Sequence, residues 1–409
     1  MIEKIIQNHS SDDVKPGSIV WMDLDIRSAR DFAGANVVKN LEKFYLSETR
    51  VDDVKKTFFT FDCVVPANNM GYAQNQQTIR LFARKENIKV HDVDAGIGSH
   101  VMVEEGLALP GGTVVGTDSH LNILGAIGCF GQGMGDQDIA FAFKAGKTWF
   151  EVPNSVKVTV KGNMASNSHA KDLTLALVKH FKSDGLLGLS AEFYGEPVER
   201  MNLADRITLS SMVTEMGGII GLIPPNDDVI DFCKNRAKEK FEPVFADEDA
   251  SYLEEMEIDI SGLKPQIACP YSPENVKDVV EVAGRKIDSV VIGSCTNGRY
   301  EDIETVARML RGKKVAEHVM MKVVPATKEV YGLMLKNNLL ETFYDAGVIV
   351  SNPGCAGCAE GQIGMTGEGE VQISTGNRNF KGKQGKGETY LASPATATAS
   401  ALAGEITSS

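Results

Sequence analysis

Residues 288–299 read DSVVIGSCTNGR, and this stretch decides how the last third of the chain folds. Its first part, Asp288–Ile292, is a largely apolar run of strand length that ends in a glycine turn. Helical and strand-like segments then alternate: a helix over Glu301–Leu310, a strand over His318–Val324, a helix over Lys328–Phe343 and a strand over Gly347–Ser351. This βαβαβ order predicts a parallel sheet covered by helices, and therefore an α/β fold.

The same alternation extends toward the N-terminus, where Val156–Val160 reads as a strand and Asp172–Phe181 as a helix. A chain of 409 residues exceeds what one hydrophobic core usually organises, so several domains are expected. The composition changes near Gly162-Asn163 and again in the proline-containing stretch Gly262–Pro273. We therefore predict three α/β domains, at residues 1–162, 163–272 and 273–409.

The composition argues against two classes of partner. The formal net charge is −13, so the chain is not expected to bind nucleic acid or an anionic membrane surface. The first residues, MIEKIIQNHSSDD, contain no apolar segment typical of a secretory signal, and no uncharged apolar run reaches membrane-spanning length. We expect a cytoplasmic protein.

Seven cysteines in a long chain of this kind do not suggest a disulfide framework. Some stand in apolar or helix-like surroundings and are interpreted as small buried hydrophobes: Cys129, Cys233 and Cys269. Three others each follow a predicted strand in a glycine-containing turn: Cys295 in GSCTNGR, and Cys355 and Cys358 in NPGCAGCAEGQIG at 352–364. Open α/β sheets bind ligands at the carboxyl ends of their strands, so these thiols are expected to meet there.

Three thiols at one sheet edge suit several kinds of site. A structural zinc site needs a fourth ligand, and histidines at finger-like spacing are absent from the sequence. A thioredoxin-like dithiol would not need Cys295. A four-iron cluster held by three thiolates leaves one iron able to bind substrate. The residues alone favour an iron–sulfur cluster and leave a zinc site or a purely structural CxxC open.

Further motifs extend along the chain: GTDSH at 116–120, Lys171–Glu196 (KDLTLALVKHF…GLSAEFYGE), Glu215-Met216-Gly217, STGNRNFKGK at 374–383 and YLASPATATASALAGE at 390–405. Together with GSCTNGR and the PGCxxC block, these motifs resemble the aconitase superfamily. The resemblance runs nearly from end to end. Within the superfamily it points to the large subunits of 3-isopropylmalate dehydratase and homoaconitase.

The resemblance implies three α/β domains around one [4Fe–4S] cluster per chain, with Cys295, Cys355 and Cys358 as its ligands and one iron without a protein ligand. It implies a hydro-lyase that adds water to, or removes it from, a small hydroxy-carboxylic acid. The family's fourth, swivelling domain would lie on a separate small subunit, which would supply a serine and an arginine to the active site. The large subunit alone would then be catalytically incomplete.

The resemblance also assigns roles to particular side chains. Catalytic roles fall on Asp62, Asp118, Ser119, His120 and Glu215, and substrate-binding roles on Asn377, Arg378 and Lys383. Asn297 and Arg299 sit beside Cys295, so we expect them to bind cluster or substrate, and we expect His100, one position along from a family histidine, to bind substrate. These residue types suit the roles, since an imidazole exchanges protons near neutral pH and a guanidinium can bind a carboxylate through two hydrogen bonds.

Four sites depart from the family pattern. Cys63 stands where the family has a histidine after its aspartate, and Ser99-His100 stands where it has His-Gln. Ser211 replaces an asparagine, and Lys383 replaces an arginine, which keeps the charge but loses the planar fork. If His100 lay on a strand, it would face the side opposite to the lost histidine. These changes predict a different substrate or a rearranged proton path.

The leading hypothesis is the cluster-bearing large subunit of a hydro-lyase for a hydroxy di- or tricarboxylate of the 3-isopropylmalate type. The alternatives within this class are homocitrate or homoaconitate and a methyl-substituted malate. A hypothesis of another class is an iron–sulfur sensor or binding protein that has lost catalysis together with its histidines. A zinc or structural CxxC protein is the third.

Overall fold

The computed structural model describes residues 1–46 and 48–409. Residues 1–151 form the following helices and strands: α1 (Ile2–Gln7), β1 (Ile19–Asp23), β2 (Ile26–Arg30), α2 (Gly34–Tyr45), β3 (Thr57–Thr60), α3 (Met70–Glu86), β4 (Lys89–His91), α4 (Gly98–Glu104), β5 (Thr113–Gly116), a 3₁₀ helix (Leu121–Ile127), β6 (Phe130–Gly133), α5 (Asp136–Ala145) and β7 (Lys147–Glu151). Five strands build a parallel sheet in the order β4-β3-β2-β5-β6, and β1 pairs with β7 in an antiparallel ribbon.

The next part of the chain, residues 155–259, contains a second parallel sheet. Its elements are β8 (Ser155–Lys161), α6 (Ala170–Phe181), β9 (Ser190–Tyr194), α7 (Glu196–Glu199), α8 (Leu203–Met212), a 3₁₀ helix (Val213–Met216), β10 (Ile220–Leu222), α9 (Asp227–Lys234) and β11 (Glu254–Asp259). The strands lie in the order β10-β9-β8-β11, and all neighbours are parallel.

The last part of the chain contains a third, mixed sheet. Its elements are β12 (Gln266–Ala268), β13 (Val276–Asp278), a 3₁₀ helix (Val279–Glu281), β14 (Ser289–Ile292), α10 (Tyr300–Leu310), β15 (Met320–Val323), α11 (Lys328–Lys336), α12 (Leu339–Ala346), β16 (Ile349–Val350), a 3₁₀ helix (Ala356–Cys358), β17 (Val371–Ser374), β18 (Glu388–Ala392) and α13 (Pro394–Ala403). The order is β13-β12-β18-β17-β14-β15-β16; β12 runs antiparallel to both neighbours, and the other pairs are parallel.

The predicted α/β class and the βαβαβ order of the last third are confirmed, because β14, β15 and β16 pair in parallel with helices between them. The predicted single helix over Lys328–Phe343 is wrong. It is two helices, because Asn338 has φ +56°, a left-handed conformation through which an α-helix cannot continue. Asparagine adopts this conformation more readily than most residues. The other predicted elements are observed with small shifts at their ends.

Local sequence explains why the segments around the third sheet pack as they do. The residues of β14 are buried on both faces, as expected for a strand between helical layers. On α10 the buried side chains recur at helical spacing, Ile303, Val306, Ala307 and Leu310, and they join the core beneath this sheet.

The three predicted domain ranges stay a prediction. Within residues 1–46 and 48–409, no helix has the length and apolarity that a bilayer crossing requires.

Candidate active site

The carboxyl ends of strands from the first and third sheets meet at one site. Cys295 follows β14, Cys355 and Cys358 follow β16, and Asn377 follows β17. In the first sheet, β3, β2 and β5 are neighbours. Polar residues follow each of them, Asp62 after β3, Asp118 after β5 and Arg30 at the last position of β2. Parallel strands carry their carboxyl ends to one edge, so the topology brings these residues together.

The backbone before Cys295 requires its glycine. Gly293 has φ +140°, and a Cβ atom there would lie 2.5 Å from the carbonyl oxygen of Val324. Ser294 also has positive φ, +86°. A side chain at position 293 would therefore push β15 away or turn the cysteine out of the site.

The three predicted ligand cysteines pack together. Cys295 and Cys355 are buried against Ile97 and Ala326, and the partly exposed Cys358 packs on the same group. Each sulfur has a polar neighbour. Cys295 Sγ lies 3.5 Å from Asn377 Oδ1, Cys355 Sγ 2.7 Å from Arg30 Nη2, and Cys358 Sγ 3.8 Å from Lys383 Nζ.

The protonation of these thiols bears on what they bind. Burial raises the pKa of both Cys295 and Cys355, although the nearby charge of Arg30 opposes the shift. Buried thiols of this kind deprotonate when a cation takes the proton's place, and a metal centre supplies that cation. Three convergent thiols, two of them beside the cationic groups of Arg30 and Lys383, therefore fit an anionic iron–sulfur group better than a disulfide framework, and all seven cysteines are unpaired.

A second set of side chains forms an acid–base network beside the cysteines. His120 Nε2 lies 2.9 Å from Glu215 Oε1, and Arg378 Nε donates to the same oxygen at 2.8 Å. On the other side of the ring, His120 Nδ1 lies 3.3 Å from the hydroxyl of Ser119. Burial would raise the pKa of Glu215, but the hydrogen bond and charge of His120, with Arg378, lower it overall. Glu215 is therefore a carboxylate that fixes the imidazole.

Arg30 links the two predicted aspartates to the cysteines, and no motif in the sequence predicts this role. Its guanidinium donates from Nε to Asp62 Oδ1 at 2.7 Å and from Nη1 to Asp118 Oδ1 at 3.0 Å. Asp62 also accepts from the backbone of Gly98 at 2.8 Å. Burial raises the pKa of Asp62 to about 6 against the charge of Arg30. For Asp118 the charges of Arg30 and His120 outweigh burial and lower the pKa.

His100 lies on α4 and not on a strand, so the expectation based on strand alternation does not apply. It is fully buried, and its Nε2 lies 2.9 Å from the carbonyl oxygen of Cys295. Burial and the nearby Arg299 lower the pKa of His100 to about 3. A neutral imidazole therefore donates from Nε2 and supports the loop that carries Cys295.

Two predicted residues lie beneath the cysteine loop. Arg299 Nη1 donates to the buried Glu104 at 3.2 Å, and Thr327 donates to the same oxygen at 2.9 Å. Asn297 donates to Thr208 at 3.0 Å and to Asp302 at 2.9 Å. The contacts of Arg299 and Asn297 thus join α4, α8 and α10 under the site.

The pocket itself is lined by His120, Val291, Gly293, Ser294, Cys355, Ala356, Gly357, Cys358, Ser374, Gly376, Asn377, Arg378, Lys383 and Gln384. Among the departures from the family pattern, Lys383 lies in this lining and donates to the carbonyl of Cys358 at 2.7 Å. Ser211 accepts from Asn377 at 3.4 Å. Cys63 is buried, with its sulfur 3.5 Å from Asp62 Oδ1.

A further group of possible metal ligands is Asp31, Asp62 and Cys63, whose ligand atoms lie within 4.8 Å of one another. The carboxylate of Asp31 already accepts four N–H groups, from the backbone of Asp62, Cys63 and Val64 and from the side chain of Gln76. An anion satisfied in this way is structural. The convergent cysteines remain the better metal centre in the described part of the chain.

A family model for the aconitase family (aconitate hydratase) matches residues 3–404. The chain belongs to the aconitase family. It is 41% identical to a probable 3-isopropylmalate dehydratase large subunit of Methanothermobacter thermautotrophicus, over 99% of this chain and 97% of that protein. It is 43% identical to a probable methanogen homoaconitase large subunit of Methanosarcina mazei, over 94% of this chain and 98% of that protein.

Among solved structures, the holo-form of aconitase X from Thermococcus kodakaraensis is similar, with a TM-score of 0.53 and 14% identity over 88% of this chain and 84% of that one. This likeness concerns the fold. The resemblance inferred from the motifs is confirmed. As a member of this family the chain is a hydro-lyase, and the family implies an iron–sulfur cluster. The roles of individual site residues stay predictions.

One buried cation holds the segment that carries Asn377 and Arg378. Lys171, in the first turn of α6, donates to the carbonyls of Thr375 at 3.1 Å and Gly376 at 2.8 Å. It is 1% exposed, and burial lowers the pKa of its ammonium group to about 7. This contact could not be predicted from the sequence, because the two carbonyls lie more than 200 residues from Lys171 along the chain.

We predict that, in the metal-free chain, the stability of Lys171→Met relative to the wild type is lower at pH 9 than at pH 7. The variant leaves two carbonyls without their hydrogen-bond donor, which costs about 1–3 kcal/mol of stability. A lysine whose pKa falls on folding, here from 10.5 to about 7, destabilises the folded chain most at and below pH 7. This cost shrinks as the pH rises toward the pKa of the unfolded chain. The wild type therefore gains about 2 kcal/mol on the variant between these pH values.

Urea unfolding at the two pH values measures this difference. The exposed Lys179 lies on the same helix, and Lys179→Met is the matched control. A stability difference between Lys171→Met and the wild type that is the same at both pH values would show that the pKa of Lys171 is not lowered on folding.

Proposed function

We propose that this chain is the large, cluster-bearing subunit of a hydro-lyase that acts on a small hydroxy di- or tricarboxylate. The observation that carries the proposal is the shared pocket, in which Cys355, Cys358, His120, Arg378 and Lys383 all present side chains. Relatives that cover the chain from end to end are named as large subunits of 3-isopropylmalate dehydratase and homoaconitase.

Cys295, Cys355 and Cys358 would hold a [4Fe–4S] cluster with one iron lacking a protein ligand. Such a cluster, when bound, supplies a Lewis acid for the substrate hydroxyl. The neighbours of two of the sulfurs support this assignment, because Arg30 Nη2 and Lys383 Nζ can donate hydrogen bonds to ligand or cluster sulfur.

The cations of the pocket suit a substrate with more than one carboxylate. Arg378 stands at the pocket with its side chain 24% exposed, and Lys383 lies across the lining beside Cys358. We assign one carboxylate to the guanidinium and one to the ammonium group.

Proton transfer is assigned to Ser119 and His120. Glu215 holds the proton on His120 Nε2, which leaves Nδ1 to exchange a proton with the Ser119 hydroxyl. The leaving hydroxyl would receive its proton along this route. The histidines that the family has at positions 63 and 99 are not needed for it.

The base that removes the carbon-bound proton is assigned to a partner. We propose a small subunit that covers the exposed side of the pocket, at Ser119 and Arg378, and adds a serine and an arginine. A 3-isopropylmalate type of substrate is the first choice. Homoaconitate and a methyl-substituted malate are the alternatives, since Lys383 replaces the family arginine.

A second candidate is a cluster-bearing sensor without catalysis, which the loss of two family histidines at 63 and 99 favours. The direct test is anaerobic purification with the small subunit, followed by iron and sulfide counting and hydration assays on a panel of unsaturated dicarboxylic acids. We expect four irons and turnover of one acid. Four irons without turnover, with the correct partner bound, would support the sensor.

We predict that Cys358→Ser loses the cluster, because a serine hydroxyl is a poor replacement for a thiolate ligand of iron. Iron and sulfide analysis checks the loss. Cys233→Ser is the matched control, since Cys233 is buried in another core and should leave the iron content unchanged. Full iron and activity in Cys358→Ser would exclude Cys358 from the ligand set.

We predict that Lys383→Arg shifts substrate preference toward the acids that the named relatives use. A guanidinium can hold a carboxylate through two hydrogen bonds, whereas an ammonium group is a point charge. Ratios of kcat/KM across the panel measure the change. An unchanged profile would show that Lys383 does not determine selectivity.

A further inference from the structure

Arg30 is the buried cation between the aspartates and the cysteines, and no motif in the sequence assigns it a role. It is 7% exposed and ends β2 at the edge that faces the cysteine loops. Each part of its guanidinium fork meets a different acceptor: Nε meets Asp62, Nη1 meets Asp118, and Nη2 lies 2.7 Å from Cys355 Sγ.

This distribution of contacts is unusual for an arginine whose only task is to neutralise a carboxylate. Such an arginine commonly uses two N–H groups on one carboxylate. Here the Nη2 group of Arg30 donates to the sulfur of Cys355, a residue 325 positions later in the sequence. The contact joins the first sheet to the loop after β16, and the backbone N–H of Cys355 donates to the carbonyl of Asp62 beside it at 3.0 Å.

We propose that Arg30 is a positioning residue that tunes the iron–sulfur group through the sulfur of Cys355. This inference rests on the cluster of the proposed function. Hydrogen bonds to cluster sulfurs and nearby charge set the reduction potential of such groups. A guanidinium on a ligand sulfur withdraws electron density, stabilises the reduced form and raises the potential.

The same withdrawal of electron density would assist the dehydration chemistry of a hydro-lyase. Electron-poor irons are stronger Lewis acids toward a substrate hydroxyl and are harder to oxidise. Through its ion pairs at 2.7 and 3.0 Å, Arg30 also fixes the carboxylates of Asp62 and Asp118 beside the cysteines. One side chain thus links the electronic state of the cluster to the geometry of the acidic residues.

The test uses the anaerobically purified holoprotein and two variants, Arg30→Gln and Arg30→Lys. Glutamine removes the charge. Lysine keeps the charge but cannot reach three acceptors at once. The matched control is Arg27→Gln on the same strand, because Arg27 is 1% exposed and pairs with Asp52, away from the cysteines.

Iron counting and an EPR-monitored potentiometric titration give the readout. We expect iron-loaded Arg30→Gln to have a more negative midpoint potential than the wild type, Arg30→Lys to fall between them, and Arg27→Gln to match the wild type. An iron-loaded Arg30→Gln with the wild-type potential would overturn the proposal. So would loss of iron from both Arg30 variants, because Arg30 would then hold the cluster rather than tune it.

If Arg30→Gln alone fails to load iron, the potential of Arg30→Lys decides: a negative shift supports the proposal, and an unchanged value overturns it. A wild-type chain without iron is a different result. It would count against the proposed function itself, whereas an unchanged potential in loaded variants counts against the role of Arg30 alone.

Discussion

The site depends on one constraint, that charges removed from water must be paired. Two strand edges bury aspartates and cysteines against each other, and Arg30 brings a cationic group into this interior where they meet. Arg30 balances Asp62, Asp118 and Cys355, and Glu215 is balanced by His120 and Arg378. Within the described residues, the acid–base groups are fixed in place by these pairs before any substrate enters.

Much of the architecture could be predicted, because its signals are local. Apolar strands followed by glycine turns gave the parallel arrangement of β14, β15 and β16, and this arrangement brings Cys295 and Cys355 together. The break at Asn338 could not be predicted from helical periodicity, since both helices keep apolar residues at helical spacing and only the backbone conformation of one residue separates them.

The candidate site could be predicted in part. His120, Glu215, Asn377 and Arg378 lie together as the motifs indicated. Arg30 was missed because its partners lie 32, 88 and 325 residues away; its only local signal is a charged residue at the end of a strand, IRSAR. Arg299 and His100 carry residue types that suit substrate binding, yet their contacts lie beneath the cysteine loop, and a motif does not report on which side of a loop a side chain lies.

We propose that Cys295, Cys355 and Cys358 hold a four-iron cluster whose remaining iron binds the substrate in this pocket. Mössbauer spectroscopy of the ⁵⁷Fe-loaded complex, with and without the hydroxy-acid that it turns over, tests the claim most directly. We expect one iron in four to change its isomer shift and quadrupole splitting when the acid binds. Spectra in which all four irons are unaffected by a bound substrate would contradict it.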